Sequence, residues 1–292
     1  MKISRRDFLA WTVAAGVALN VEFNLDHVNN VLAAETDPPI IWLQGAGCSG
    51  CTVSTLNVTN PTTIDDVLLN KISMKYNSTL MTASGDLAMQ TLDQSATLYK
   101  GQFILVVEGA VPTGANGNYC LIGEVNGVPL TMQQAVLKYG PMAKYVVAAG
   151  TCASFGGVAA AAPNATGNSS VSSILTGKTS NPVVNLSGCP VHPTVMIQTL
   201  LDLILIGMPA LDTNQRPTKY FGATVHATCE RRDHGHCYAG EGCLGPENQN
   251  VCSSMKWNNN GQSWCVHNNY GCIGCSNPKF PTSPLLSGHY DD

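Results

Sequence analysis

Four short apolar runs punctuate the first two-thirds of the chain, at residues 40–43, 103–107, 145–149 and 183–186. Each is rich in β-branched or aliphatic residues and is bounded by glycine or polar residues, the pattern of a buried strand. Met81-Thr82-Ala83 is a weaker fifth candidate. Between the runs lie helix-compatible stretches at 53–69, 86–98 and 131–137. Alternating strands and helices predict βαβ units and a parallel sheet, an α/β fold. After about Leu211 the pattern changes: apolar runs disappear, while Gly, Asn, His and Cys accumulate. Such a segment has too little periodic hydrophobicity for a core of its own. It is expected to be held by whatever its cysteines bind and by the first domain. The expected division is a leader at 1–34, the α/β domain at 35–211 and an irregular segment at 212–292.

The leader reading rests on Arg5-Arg6 followed by Phe8-Leu9, then an apolar stretch at 8–21 that is too short to span a bilayer. This is the twin-arginine export pattern, with cleavage expected near Val31-Leu32-Ala33-Ala34 and a periplasmic product. That route carries folded proteins, often with cofactors already inserted, so a cysteine-rich cargo need not be a disulfide scaffold. No later run of about 18 or more apolar residues follows, so no membrane anchor of its own is expected.

Composition narrows the picture. At 292 residues the chain is long enough for two domains or one large one. Charged residues make up only 12%, against about a quarter in ordinary globular domains, which implies a surface partly covered by a partner. The net charge is −4 and no Lys/Arg run occurs, which argues against a nucleic-acid partner.

The 12 cysteines carry the chemistry. Cys48 and Cys51 follow the first apolar run, as Cys-x-x-Cys. Glu108-Gly109-Ala110 follows the second, Gly150-Thr151-Cys152 the third and Gly188-Cys189-Pro190 the fourth. In an open parallel sheet the carboxyl ends of the strands share one edge, where ligands bind. Cys48, Cys51, Cys152 and Cys189 can therefore converge, and the adjoining glycines let backbone approach a bulky group. Four thiolates suit zinc or an iron–sulfur cubane. One local pair with two distant single ligands favours the cubane, while an even cysteine count in an exported protein keeps disulfides in play.

Seven further cysteines lie after residue 212 and sort by order into two groups. His226 and Cys229, spaced His-x-x-Cys, precede Cys237 and Cys243; His234 and His236 compete with His226. Cys252, Cys265, Cys272 and Cys275 form the other group. Cys120 is left over and reads as a buried free thiol. Three four-ligand sets suggest a wire for electrons rather than one structural metal.

Taken in order, the Arg5-Arg6 leader, Trp42-Leu43 through Cys51, Glu108-Gly109-Ala110, Gly150-Thr151-Cys152, Gly188-Cys189-Pro190, His226 to Cys229, Cys243-Leu244-Gly245-Pro246 and Cys272-Ile273-Gly274-Cys275 resemble the small subunits of periplasmic nickel–iron hydrogenases. The resemblance implies a flavodoxin-like first domain without a flavin and an obligate large subunit that holds the nickel–iron centre. It implies three [4Fe-4S] clusters: proximal on Cys48, Cys51, Cys152 and Cys189; medial on Cys252, Cys265, Cys272 and Cys275; distal on His226, Cys229, Cys237 and Cys243. The implied reaction is H2 ⇌ 2 H⁺ + 2 e⁻, with electrons exchanged with an outside carrier, a periplasmic c-type cytochrome, and with no catalytic residue in this chain.

Departures from the commonest family pattern are informative. Cys265 stands where that branch has proline and a [3Fe-4S] medial cluster, so a fourth thiolate implies [4Fe-4S] at lower potential. Gly47 stands where that branch has glutamate. Both features resemble the nickel–iron–selenium branch, whose selenium resides in the large subunit. Gly50 and Gly157 occupy the positions of the extra cysteines of oxygen-tolerant relatives, so that mechanism is not expected. The sequence ends Leu285-Leu286-Ser287-Gly288-His289-Tyr290-Asp291-Asp292, so the C-terminal anchor helix of membrane-bound relatives is not expected. Two rival readings stand beside this one. The first is an iron–sulfur electron-transfer protein of a different redox complex, against which the seven late cysteines argue. The second is an exported protein stapled by disulfides or zinc.

Overall fold

The computed structural model describes residues 37–233, 236–257, 261 and 263–281. The leader, His234 and the C-terminal residues 285–292 lie outside them. Five strands, β1 (Pro39–Gln44), β2 (Ser73–Asn77), β3 (Ile104–Glu108), β4 (Tyr145–Ala149) and β5 (Val184–Leu186), form one sheet. All pairings are parallel, in the order β2-β1-β3-β4-β5. That is the flavodoxin-like order, with its switch point between β1 and β3. The register aligns Gln44 with Glu108, Glu108 with Ala149, and Ala149 with Leu186, so four carboxyl ends stand in one row.

Strand alternation divides the core between the two sheet faces. Ile40, Trp42, Ile104, Val106 and Val147 face one way, against α6 (Pro193–Leu205) and its Val195, Leu200 and Leu201. Ile41, Leu43, Leu105, Val107 and Val146 face the other, against Leu92 of α3 (Gly85–Leu98) and Val136 and Tyr139 of α4 (Met132–Tyr139). A capping box closes the start of α4, with Thr131 Oγ1 accepting from Gln134 N–H and Gln134 Oε1 accepting from Thr131 N–H.

Several elements differ from what the sequence pattern predicts. The fifth strand is β2, whereas Met81–Ala83 lies in irregular chain after it. β2 is an edge strand whose Ser, Lys and Asn break up the apolar pattern. The single helix expected over 53–69 is two, α1 (Gly50–Leu56) and α2 (Ile64–Asn70), and Pro61 lies between them, where it cannot donate to a helical ladder. α6 has no counterpart in that pattern. It is apolar on nearly every face, so no 3.6-residue period marks it, although Pro193 stands in its first turn. A hairpin of Leu121–Val125 and Val128–Thr131 turns at Asn126-Gly127, both at positive φ (54° and 75°).

The first core extends to Tyr220 and Phe221. Beyond it, Val225, Cys252, Trp264, Val266 and Cys272 form a small separate cluster. The two regions are pinned by Arg216, which is 1% exposed. Its guanidinium donates to Asp212 Oδ2 at 2.8 Å, to Gln249 Oε1, and to the Ser276 carbonyl at 3.5 Å. His192 Nε2 also meets the Lys256 carbonyl at 2.6 Å. Among the described residues no helix is long and apolar enough to cross a membrane.

Candidate metal centres

The row at the carboxyl edge of the sheet delivers the first candidate set. Cys48 lies in the loop after β1, Cys51 in the first turn of α1, Cys152 in α5 (Gly150–Phe155) after β4, and Cys189 in the loop after β5. Each of the last three thiols is pushed above its ordinary pKa, first by burial. Nearby groups add to this: Glu108, Cys152 and Cys189 act on Cys51, while Cys48 and Glu108 act on Cys152. Cys189 is pushed up to about 11 by burial, then by Cys152 and Cys48. Thiols that hinder one another's ionisation in this way form a site that becomes favourable when a cationic centre takes them as thiolates.

Glycines shape the space around these sulfurs. A Cβ on Gly150, which sits at φ +86°, would collide with Cys51 Sγ. Cβ atoms on Gly50 and Gly157 would each stand 3.1 Å from a sulfur, Cys48 Sγ and Cys152 Sγ respectively. Cys51 Sγ also accepts the Val191 N–H at 3.5 Å, a bond that favours a thiolate.

Glu108 is a site residue that sequence reasoning left without a role. It ends β3, is 2% exposed, and reaches across to the start of α1. Oε1 accepts from the N–H groups of Cys51 (2.8 Å) and Thr52 (3.1 Å). Oε2 accepts from Thr52 Oγ1 (2.5 Å) and Trp42 Nε1 (3.0 Å). No side chain caps α1 locally, so Glu108 satisfies two of its free N–H groups, those of Cys51 and Thr52, from the neighbouring strand. The available signal was a lone acid closing a wholly apolar strand.

The second set gathers in the C-terminal region. Burial comes first in raising Cys252, to about 12, followed among raising causes by Cys272 and Cys265. Cys272 is pushed up to about 11 by burial and by its neighbours Cys243 and Cys265. Cys275 is raised by burial, then by Cys252, Cys272 and Cys265. Asn248 Nδ2 donates to Cys272 Sγ at 3.4 Å. Trp264, beside Cys265, has its indole N–H buried with no acceptor among the described residues. A buried N–H donor of that kind, packed with Cys252 and Cys272, suits a group with acceptor sulfurs between the thiols.

The third set lines a cavity that contains His226, Cys229, Cys237 and Cys243, with Arg231 and Tyr238 at its wall. His226 Nδ1 and Cys237 Sγ are 3.8 Å apart. Cys243 Sγ accepts from Gly245 N–H at 3.4 Å and Cys272 N–H at 3.1 Å, so the second and third sets adjoin. His236 is exposed and does not line this cavity. Cys120 is half-buried rather than buried; it packs against the second core and lines a pocket with Gly47 and Ser49, the neighbours of Cys48. All twelve cysteines are free thiols. Among the described residues no three His, Cys, Asp or Glu side chains close on a point tightly enough for a single metal ion.

The family model for the C-terminal part of the NiFe/NiFeSe hydrogenase small subunit matches residues 220–286, and the family of the NADH ubiquinone oxidoreductase 20 Kd subunit matches 48–203. The periplasmic [NiFeSe] hydrogenase small subunit of Desulfomicrobium baculatum is 35% identical, over 96% of this chain and 97% of its own length. The chain belongs to the NiFe/NiFeSe hydrogenase small subunits. The hydrogenase-2 small chain of Escherichia coli K12 is 34% identical over 94% of this chain and 76% of its own. A solved structure of the reduced, active Ni-Fe-Se hydrogenase from Desulfomicrobium baculatum superposes with a TM-score of 0.79 at 36% identity, covering 84% of this chain and 96% of that one. As a hydrogenase small subunit, the chain is one component of an oxidoreductase complex, and a large subunit is its implied partner. An iron–sulfur role follows from the same membership.

Proposed function

We propose that this small subunit relays electrons one at a time between the nickel–iron centre of its large subunit and an outside carrier, through three [4Fe-4S] clusters. What supports the reading is thiols clustered in succession: Cys51, Cys152 and Cys189 with Cys48 at the sheet edge, Cys252, Cys265, Cys272 and Cys275 next, and then the cavity that His226, Cys229, Cys237 and Cys243 line. When bound, the clusters supply one-electron chemistry. Cys48, Cys51, Cys152 and Cys189 would hold the proximal one. Cys252, Cys265, Cys272 and Cys275 would hold the medial one, and His226, Cys229, Cys237 and Cys243 the distal one. The glycines around the first set give room for a bulky centre, and the buried Trp264 N–H offers a donor at the second.

This chain's side chains set the electrical character of each site. Four thiolates favour a low potential, whereas the neutral imidazole of His226 favours a higher one at the third site. Partner docking is proposed around the first set. Val53 and Val158 flank it and are more than half exposed, 53% and 54%. Export by the twin-arginine route, a periplasmic location and a c-type cytochrome as carrier complete the proposal.

The test is metal and sulfide analysis of the complex purified from its native host. About twelve iron and twelve sulfide in this subunit, with nickel in the co-purifying chain, is the expected result. An iron-free, colourless complex would overturn it. One substitution addresses the medial assignment. Cys265→Pro removes one of four thiolates and should convert that centre to [3Fe-4S], seen by electron paramagnetic resonance of the oxidised protein. A spectrum identical to that of the unaltered complex would show that Cys265 is not a ligand.

A further inference from the structure

Three segments that carry candidate ligands meet at one buried side chain. Thr151 precedes Cys152 and is 1% exposed. Its backbone N–H donates to the Gly188 carbonyl at 2.9 Å, and its Oγ1 accepts the Gly188 N–H at 2.8 Å. Gly188 in turn precedes Cys189. The one proton on Oγ1 is donated to the carbonyl of Cys275. The hydroxyl therefore uses its donor and an acceptor position on two different loops. One of those loops belongs to the proximal set and the other to the medial set.

A second strand of bonds runs alongside. Ser187 Oγ donates to the Ser276 carbonyl at 2.9 Å. Ser276 Oγ donates to Asn248 Oδ1 at 2.7 Å, and Asn248 Nδ2 reaches Cys272 Sγ. Ser276 is fully buried, so this seam excludes water. The contacts joining the loop after β5 to the loop at Cys275 are thus short, polar and dry. No role in binding a centre is needed from Thr151, because it offers no ligand atom to either set.

We propose that Thr151 is a positioning residue that fastens the proximal and medial sites to each other and fixes the separation an electron must cross. The inference rests on the ligand assignment above. The step is the transfer of one electron from the proximal site, which is oxidised, to the medial site, which is reduced. No bond forms or breaks, and no proton is required. Thr151 acts through the two loops it joins. Valine keeps the shape of the residue but supplies neither the donor nor the acceptor.

The experiment uses the purified heterodimer carrying Thr151→Val, with Thr151→Ser as the hydroxyl-retaining control. Iron content is measured first. The complex is then mixed with H2 and frozen at intervals for electron paramagnetic resonance. The expected result is unchanged iron in both variants, and several-fold slower appearance of the reduced medial signal after the proximal one in Thr151→Val. Spin–spin broadening between the two reduced centres should also weaken there. Thr151→Ser should match the unaltered protein. Unchanged kinetics and broadening in Thr151→Val would overturn the proposal. Loss of iron in either variant would also overturn it, since the residue would then serve to build a site rather than to space two of them. Failure of the ligand assignment itself would be visible separately, as missing clusters in the unaltered complex.

Discussion

Chelation of iron from the complex should leave residues 39–221 folded and release 222–281 to proteases. The reason lies in how unevenly apolar burial is spread. Both faces of the sheet are covered, with α6 on one side and α3 and α4 on the other. The C-terminal region contributes only Val225, Cys252, Trp264, Val266 and Cys272 to a cluster of its own, and two of these five are candidate ligands. Its one α-helix among the described residues is the single turn Cys252–Met255. For such a segment the free energy of binding a centre is largely its folding free energy, on the order of 10–16 kcal/mol in small structural metal sites. What remains without iron is the packing of Val251 and Met255 on the first core and a few bonds, at Arg216, Thr151, Ser187 and His192, worth about 0.5–3 kcal/mol each. Those few contacts have little apolar burial behind them to offset the backbone entropy that ordering the segment costs. Hydrogen exchange read by mass spectrometry would resolve the two regions. Equal protection of both after iron loss would mean that protein contacts alone hold the C-terminal region.

The same unevenness decides what could be read in the amino-acid sequence. β1, β3 and β4 were legible because strands buried on both faces are almost wholly apolar, and each is followed at once by glycine, Gly45, Gly109 and Gly150. β2 was not, because an edge strand can keep Ser73 and Lys75 among its residues. α6 was hidden by the opposite fault: burial around nearly its whole circumference erased the amphipathic period. The gathering of Cys48, Cys51, Cys152 and Cys189 was legible from topology, since parallel strands place the loops that follow them on one edge. His226 could not be separated from its neighbours by spacing; the cavity it shares with Cys229, Cys237 and Cys243 distinguishes it from His236. What no local signal contained was the seam between the regions. Thr151 and Cys275, Ser187 and Ser276, and Arg216 and Gln249 are far apart in the chain, and serine, threonine and arginine are common types with no spacing to mark them.

Glu108→Ala should destabilise the sheet domain by about 3–6 kcal/mol, from the loss of an acceptor that serves buried donors, each costing about 1–3 kcal/mol when stranded. Four donors depend on this carboxylate: the N–H groups of Cys51 and Thr52, the Thr52 hydroxyl and the Trp42 indole. The hydroxyl can rotate to another acceptor, whereas the two backbone groups and the indole cannot. A whole domain is stable by only about 5–15 kcal/mol, so this one substitution removes a large share. The effect should be local as well as global. Without the carboxylate, the first turn of α1 loses the cap that orients Cys51, and the proximal site should lose iron before the other two. Glu108→Gln separates packing from acceptance. Its amide fills the same space and Oε1 still accepts, but the Nε2 side presents hydrogens to Trp42 and Thr52 and cannot accept from them. The expected order of melting temperatures is therefore unaltered protein, then Glu108→Gln, then Glu108→Ala, with proximal iron falling in the same order. If Glu108→Ala melted with the unaltered protein and kept its proximal iron, the four bonds would be incidental to the site. The cap would then have to come from the cluster itself, through the thiolate of Cys51 and the bond it accepts from Val191.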